Sequence, residues 1–209
     1  MIDQPQSPRS EIVVATRNPG KLREIAAILA FASVRFLSLK DFPHIPEIVE
    51  DGKTFSENAI KKAKAVARLT GRVAVADDSG LAVDALNGRP GIYSARYAGE
   101  DASDEERYRK LLREMESIPG GKRGGAFVCA AAAASPSGDA DVVEAEWRGT
   151  ITLAPRGANG FGYDPVFFIP EVNQTVAELD PAVKNKISHR ARAFEKLKKV
   201  LPKYFSAKP

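Results

Sequence analysis

Short apolar runs alternate with helix-period stretches along this chain, and that alternation restricts the fold more than any other feature of the sequence. Ile12-Val13-Val14 reads as a buried strand, broken by the turn-forming residues Thr16-Arg17-Asn18-Pro19-Gly20. Leu22, Ile25, Ala26 and Leu29 then recur at helical spacing. Residues 34–39 predict a second strand and 41–51, with two prolines, a loop. A helix over 53–69 follows, with Thr54 as its cap, Glu57 as the capping-box partner and Gly71 as its stop. Residues 73–76 give a third strand that ends at Asp77-Asp78-Ser79-Gly80, and 86–99 read as a long loop. Ser103 and Glu106 form a second capping box, ahead of a helix with Tyr108, Leu111, Leu112 and Met115 on one face. Residues 126–134 and 142–149 pattern as a strand pair, 151–153 continue the sheet and 166–169 add a strand. Asp180-Pro181 opens a helix, and the last helix spans 190–201. Strands mixed with helices, with antiparallel signals in the middle, predict an α/β fold around a mixed sheet.

The 209 residues suit one domain, expected over 11–205. Residues 1–10 read as a loose polar tail without the apolar core of a signal peptide. No apolar stretch is long enough to span a bilayer, so no membrane partner is expected and a cytoplasmic location is. The single cysteine, Cys129, excludes an internal disulfide and reads as a small buried residue. A net charge of +4 is compatible with nucleic acid or with polyphosphate ligands. However, the signs are interleaved, and the basic clusters at 61–64 and 196–199 fall in helical pattern, as solvated faces do.

Four segments carry candidate chemistry. Thr16, Arg17, Asn18, Pro19, Gly20 and Lys21 lie between a strand and a helix, where free backbone N–H groups and the helix dipole attract phosphate. The segment lacks the Walker spacing, and an ordinary Asn-Pro-Gly turn accounts for it equally well. Asp77 and Asp78 follow a buried strand. If the strand persists they face opposite ways, so one can enter a ligand crevice, and carboxylates there suit Mg²⁺. The competing reading is a capped turn. In Phe161-Gly162-Tyr163-Asp164 a glycine-flanked ring can stand clear and stack on a nucleobase, or simply pack on the core. Lys184, His189 and Arg190 supply donors for phosphate or a base carbonyl, although a basic surface turn explains them as simply. His44 has no evident partner and reads as structural or solvent-exposed.

Together these segments resemble the inosine triphosphate pyrophosphatase family. The carrying motifs are Ala15-Thr16-Arg17-Asn18-Pro19-Gly20-Lys21, Thr54-Phe55-Ser56-Glu57-Asn58-Ala59, Ala76-Asp77-Asp78-Ser79-Gly80-Leu81, Pro90-Gly91-Ile92-Tyr93-Ser94-Ala95-Arg96-Tyr97, Gly160-Phe161-Gly162-Tyr163-Asp164-Pro165 and Ile187-Ser188-His189-Arg190. They run in the family's order across almost the whole chain. The resemblance implies an α/β fold with a long mixed central sheet, flanking helices and two lobes around a cleft. It implies a homodimer and Mg²⁺-dependent hydrolysis of purine nucleoside triphosphates, (d)ITP and XTP, to monophosphate and pyrophosphate. It assigns the triphosphate to residues 16–21, the catalytic and metal-binding carboxylate to Asp78, and a substrate contact to Ser79. Base and sugar fall to Phe161, Gly162, Tyr163 and Asp164, and the rest of the pocket to Lys184, His189 and Arg190. The family's second metal-binding acid falls here at Val49, and the neighbouring Glu50 takes that assignment. A related Maf-like pyrophosphatase with another base preference is the second enzyme reading. A basic nucleic-acid-binding protein is the non-enzyme one, and the Asp77-Asp78 pair speaks against it, because acids repel a phosphate backbone.

Overall fold

The computed structural model describes residues 10–31 and 34–206. Residues 1–9 of the expected tail lie outside the described residues, while Ser10 already belongs to the first strand. The described chain runs β1 (Ser10–Val14), α1 (Pro19–Leu29), β2 (Val34–Ser38), α2 (Phe55–Thr70), β3 (Val73–Val83), α3 (Asp104–Glu114), β4 (Gly124–Ala134), β5 (Ala140–Ile151), β6 (Phe167–Ile169), β7 (Gln174–Thr175), α4 (Pro181–Ile187), α5 (His189–Lys198) and α6 (Lys203–Ser206). Short 3₁₀ turns at Asp84–Leu86 and Gly91–Arg96 organise the stretch expected to be a plain loop. No described helix is long and apolar enough to cross a membrane.

All seven strands form one mixed sheet in the order β2-β1-β3-β4-β5-β6-β7. β1 is parallel to both β2 and β3, and the remaining neighbours are antiparallel. One face near β1 packs Ile12, Val14, Val75 and Cys129 against Ile25, Leu29, Phe194 and Leu197 of α1 and α5. The other face packs Val13, Ala74, Ala76 and Ala132 against Ala59, Ala63 and Val66 of α2. A third cluster, with Leu81, Leu111, Phe127, Trp147 and Phe167, fills the far end of the sheet. Alternation of side chains along each strand produces this division, and small alanines along β4 let helices approach closely on both faces.

The caps obey the sequence with one displacement. Thr54 accepts a hydrogen bond from Glu57 N, but the Glu57 carboxylate accepts from Lys53 N rather than closing the box on Thr54. Ser103 and Glu106 make the full reciprocal box. The larger departure is β3. It does not stop before Asp77 but continues to Val83, paired with β4 from Ala74↔Ala134 to Val83↔Gly125. Asp-Asp-Ser-Gly has turn chemistry and low strand propensity. Tertiary partners override that preference, because each carboxylate finds a compensating group on its own face of the sheet.

Candidate active site

β1 ends at Val14 beside Val75, while β3 runs on. Past that point no strand among the described residues pairs with this edge of β3 until the isolated bridge of Ala82 to Pro90. The gap opens at the carboxyl end of β1, where open α/β sheets hold ligands. The turn at residues 16–21 borders it. Arg17 Nη2 anchors the turn by donating to Ile45 O at 2.5 Å. Asn18 caps α1, with Oδ1 accepting from Gly20 N at 2.7 Å and Lys21 N at 3.3 Å, and Pro19 follows as the first helical residue. The amides of Gly20 and Lys21, expected to be free for phosphate, are therefore already engaged.

Two hollows meet here. The first, about 160 Å³, has walls of Ser79, Gly80, Phe127, Phe161, Gly162, Tyr163, Asp164, Lys184, His189 and Arg190, joined by Asp104 and Arg107 of α3. The second, about 270 Å³, is bounded by Thr16, Arg17, Asn18, Glu47, Glu50 and Lys62. Lys21 walls both. Gly80 is required by contact rather than by φ: a Cβ there would lie 2.4 Å from Gly91 O and 2.5 Å from Ser94 Oγ.

Because β3 stays extended, Asp77 and Asp78 point to opposite faces. Asp77 meets Lys21 Nζ at 3.2 Å and Arg190 Nη2 at 3.1 Å, and also accepts from Ser79 Oγ. Burial pushes its carboxyl up, but Lys21, Arg190 and Lys62 outweigh that and hold it well below the usual carboxylate range. Arg190 also pairs with Glu24 of α1 at 2.6 Å. Asp78, on the α2 face, accepts from Asn58 Nδ2 at 2.9 Å. Burial is the main force on it. Against the Asn58 hydrogen bond and the Lys62 charge, and aided by Glu50 and Asp77, it pushes the carboxyl from 3.8 up to about 6. Lys62 bonds to Glu50, and although burial acts against its charge, Asp77, Glu50 and Asp78 raise its pKa. Asp78 itself is 8% exposed. It lines neither hollow, and its link to the second is its electrostatic coupling to Glu50 and Lys62, which wall that space.

No group of three or more acids, histidines or cysteines among the described residues forms a closed metal cage. Asp78 and Glu50 nevertheless fit Mg²⁺, which usually takes one or two carboxylates and completes its shell with water and substrate phosphate. A carboxyl held above its normal range beside two other acids is one that an added cation would relieve. Val49 is 66% exposed, whereas Glu50 walls the second hollow.

In the first hollow, Phe161 carries Lys184 Nζ 4.6 Å and Arg190 Cζ 5.7 Å from its ring centroid. Asp164 is buried, accepts from Phe161 N at 3.0 Å and pairs with Lys184 at 2.7 Å. Burial nonetheless keeps its carboxyl above the normal value. Gly162 N donates to Asp104. Tyr163 is buried, walls the hollow and braces the loop, its hydroxyl donating to Ser94 O at 2.9 Å. His189 stacks on Phe127 with centroids 4.8 Å apart and is buried. Burial first, then the Arg190 and Lys184 charges, drives its pKa well below 6.5, so the ring is neutral at physiological pH.

Sequence reasoning missed Asn58, Lys62, Glu24, Asp104 and Arg107. Lys62 corrects the reading of residues 61–64 as a solvated face: its side chain is 11% exposed. Asn58 and Lys62 lie one helical turn apart on the same side of α2, and that spacing was the available signal. His44 is exposed, as expected, edge-on to Phe42. Cys129 is buried and its thiol is pushed up to about 12, which makes it inert.

The chain as a whole is similar to several known proteins. The "dITP/XTP pyrophosphatase" of Geobacter sulfurreducens is 57% identical over 189 residues, covering 90% of this chain and 95% of the relative. That of Geobacillus kaustophilus is 55% identical, covering 90% and 92%. A solved HAM1 protein from Coxiella burnetii superposes with a TM-score of 0.85 at 44% identity, covering 93% of this chain and 99% of its own. A nucleoside-triphosphatase / dITP/XTP pyrophosphatase from Mycobacterium abscessus gives a TM-score of 0.74 at 46% identity, covering 90% and 98%. The profile of the Ham1 family matches residues 12–200, and the chain belongs to that family.

Proposed function

We propose that this protein is a Mg²⁺-dependent nucleoside-triphosphate pyrophosphatase that hydrolyses (d)ITP and XTP to the monophosphate and pyrophosphate, removing non-standard purines from the precursor pool. The observation that carries the reading is Lys21, which walls both an aromatic-lined hollow suited to a base and a second hollow whose turn and acids suit a metal-bound polyphosphate. The dITP/XTP pyrophosphatase activity for which relatives above 50% identity are named supports it. A homodimer, as the family resemblance implies, and a cytoplasmic location belong to the same proposal.

On this reading the base stacks on Phe161, and donors from His189, Arg190 or backbone N–H meet the carbonyl at purine position 6. Adenine presents an amino group there, leaving those donors unpaired. The turn at residues 16–21 holds the triphosphate, and Lys21 neutralises charge on the departing pyrophosphate. Asp78 orients water at the α-phosphate and takes its proton, while Asn58 fixes the carboxylate. Asp78 and Glu50 would hold Mg²⁺, which when bound supplies charge neutralisation on the phosphates. Phosphoryl chemistry rests mainly on such positioning and electrostatics.

The test is pyrophosphate release from ITP, XTP, GTP and ATP, with and without Mg²⁺. Values of kcat/KM for ITP and XTP should exceed that for ATP by roughly 10⁴, and EDTA should abolish turnover. Equal rates on all four nucleotides would remove selective recognition from the account.

A further inference from the structure

Two buried side-chain nitrogens among the described residues have no hydrogen-bond partner: His189 Nδ1 and Arg107 Nε. Both belong to walls of the first hollow. Arg107 Nε can only donate, so leaving it buried without an acceptor is destabilising and points to an acceptor that a ligand brings, whereas Nδ1 of the neutral His189 ring serves as donor or acceptor according to tautomer. His189 already has a part in the proposed reaction, whereas Arg107 has none.

Arg107 stands on α3 and walls the same hollow as Phe161, Gly162, Lys184 and Arg190. Its Nη1 donates to Asp104 Oδ1 at 2.7 Å, and Asp104 Oδ2 in turn accepts from Gly162 N at 2.7 Å. Phe161 has the cations of Lys184 and Arg190 near its ring. A purine stacked on that ring therefore shares the hollow with donors from two sources. One is cationic and comes from α4 and α5. The other is α3 with Arg107.

We infer that Arg107 reads position 2 of the purine, favouring a carbonyl and opposing an amino group. The inference rests on the proposed function, in which position 6 faces His189 and Arg190; the remaining edge of the six-membered ring then turns toward α3. A guanidinium only donates hydrogen bonds. Xanthine offers an oxygen at position 2 and hypoxanthine a C–H, but guanine offers N–H groups that leave both partners unpaired. Guanine shares the position-6 carbonyl, so only a reader of position 2 separates it from the non-standard purines.

The experiment compares kcat/KM for XTP, ITP and GTP in wild type, Arg107→Gln and Arg107→Lys. Ratios within one variant cancel any loss of folded protein. Gln adds an acceptor oxygen, so Arg107→Gln should lower the XTP:ITP ratio about tenfold and raise the GTP:ITP ratio about tenfold, the scale of one charge-assisted hydrogen bond. Arg107→Lys keeps a donor-only head and should preserve the wild-type order. Unchanged ratios in Arg107→Gln, or a common fall on all three nucleotides, would overturn the inference and leave Arg107 as a brace for Asp104 and Gly162. The same ratios taken as metal-free Kd values test Arg107 independently of turnover. A wild-type enzyme inactive on ITP would instead contradict the proposed function.

Discussion

Asp78→Asn should lose roughly 10³-fold in kcat, the scale of a missing general base, and at the same time melt several degrees higher than the wild-type enzyme. Both effects follow from where the carboxylate sits. Its pKa is raised from 3.8 to about 6, chiefly by burial. The folded chain therefore holds that proton more tightly than the unfolded chain does. Stability falls as pH rises from about 4 to 6, and the full penalty stands above pH 6. A shift of two units corresponds to roughly 3 kcal/mol at most, or several degrees in Tm for a chain of this size. Asn keeps an oxygen for Asn58 Nδ2 and abolishes the ionisation. Thermal melts in EDTA should show the gain in full at pH 8 and little of it at pH 4. A variant that is inactive but gains nothing at pH 8 would mean that burial does not strain this carboxylate.

Arg190→Met should cause the largest loss of stability at the site. Arg190 is 2% exposed and pairs with both Asp77 and Glu24. Removing it strands buried charge, which costs about 3–5 kcal/mol, on the order of a 10 °C fall in Tm. Adding Asp77→Asn removes part of that stranded charge and should restore part of the loss, measurable as coupling in urea unfolding. Strictly additive losses would show that the two side chains do not act as a pair. Asp77 is thus the structural member of the Asp77-Asp78 pair: it holds Lys21 and Arg190 in place, while Asp78 is the one left strained.

How much of this the sequence disclosed depends on the range of the interaction. β1, the helical run of α1 and the Thr54-capped start of α2 were legible because local patterns produce them, whereas the cap that Asn18 places on α1 was read only as a turn. The β4–β5 pair was legible from an apolar run and an alternating run joined by the turn residues Ser135-Pro136-Ser137-Gly138-Asp139. The continuation of β3 through Asp77-Asp78-Ser79-Gly80 was not, because partners 20 to 113 residues away in sequence make the acids tolerable there. The two-residue strand β7 is too short to leave a periodic signal. At the site, the motifs held both partners of the Lys21–Asp77, Asn58–Asp78 and Asp77–Arg190 contacts, but only one partner of the Arg190–Glu24 and Gly162–Asp104 contacts. Asn58 lay within a motif without a role, and Lys62 read as a surface lysine. Glu24, Asp104 and Arg107 sit on helical faces that look solvated in the sequence and turn inward only when α1 and α3 pack beside the gap in the sheet.

The account stands on a nucleotide lying across both hollows, with its α-phosphate at Asp78. Hydrolysis of ITP in ¹⁸O-water with Mg²⁺ tests this directly. Attack at the α-phosphate places the label in the phosphate of IMP and none in pyrophosphate. Label in pyrophosphate, or orthophosphate as the released product, would contradict it.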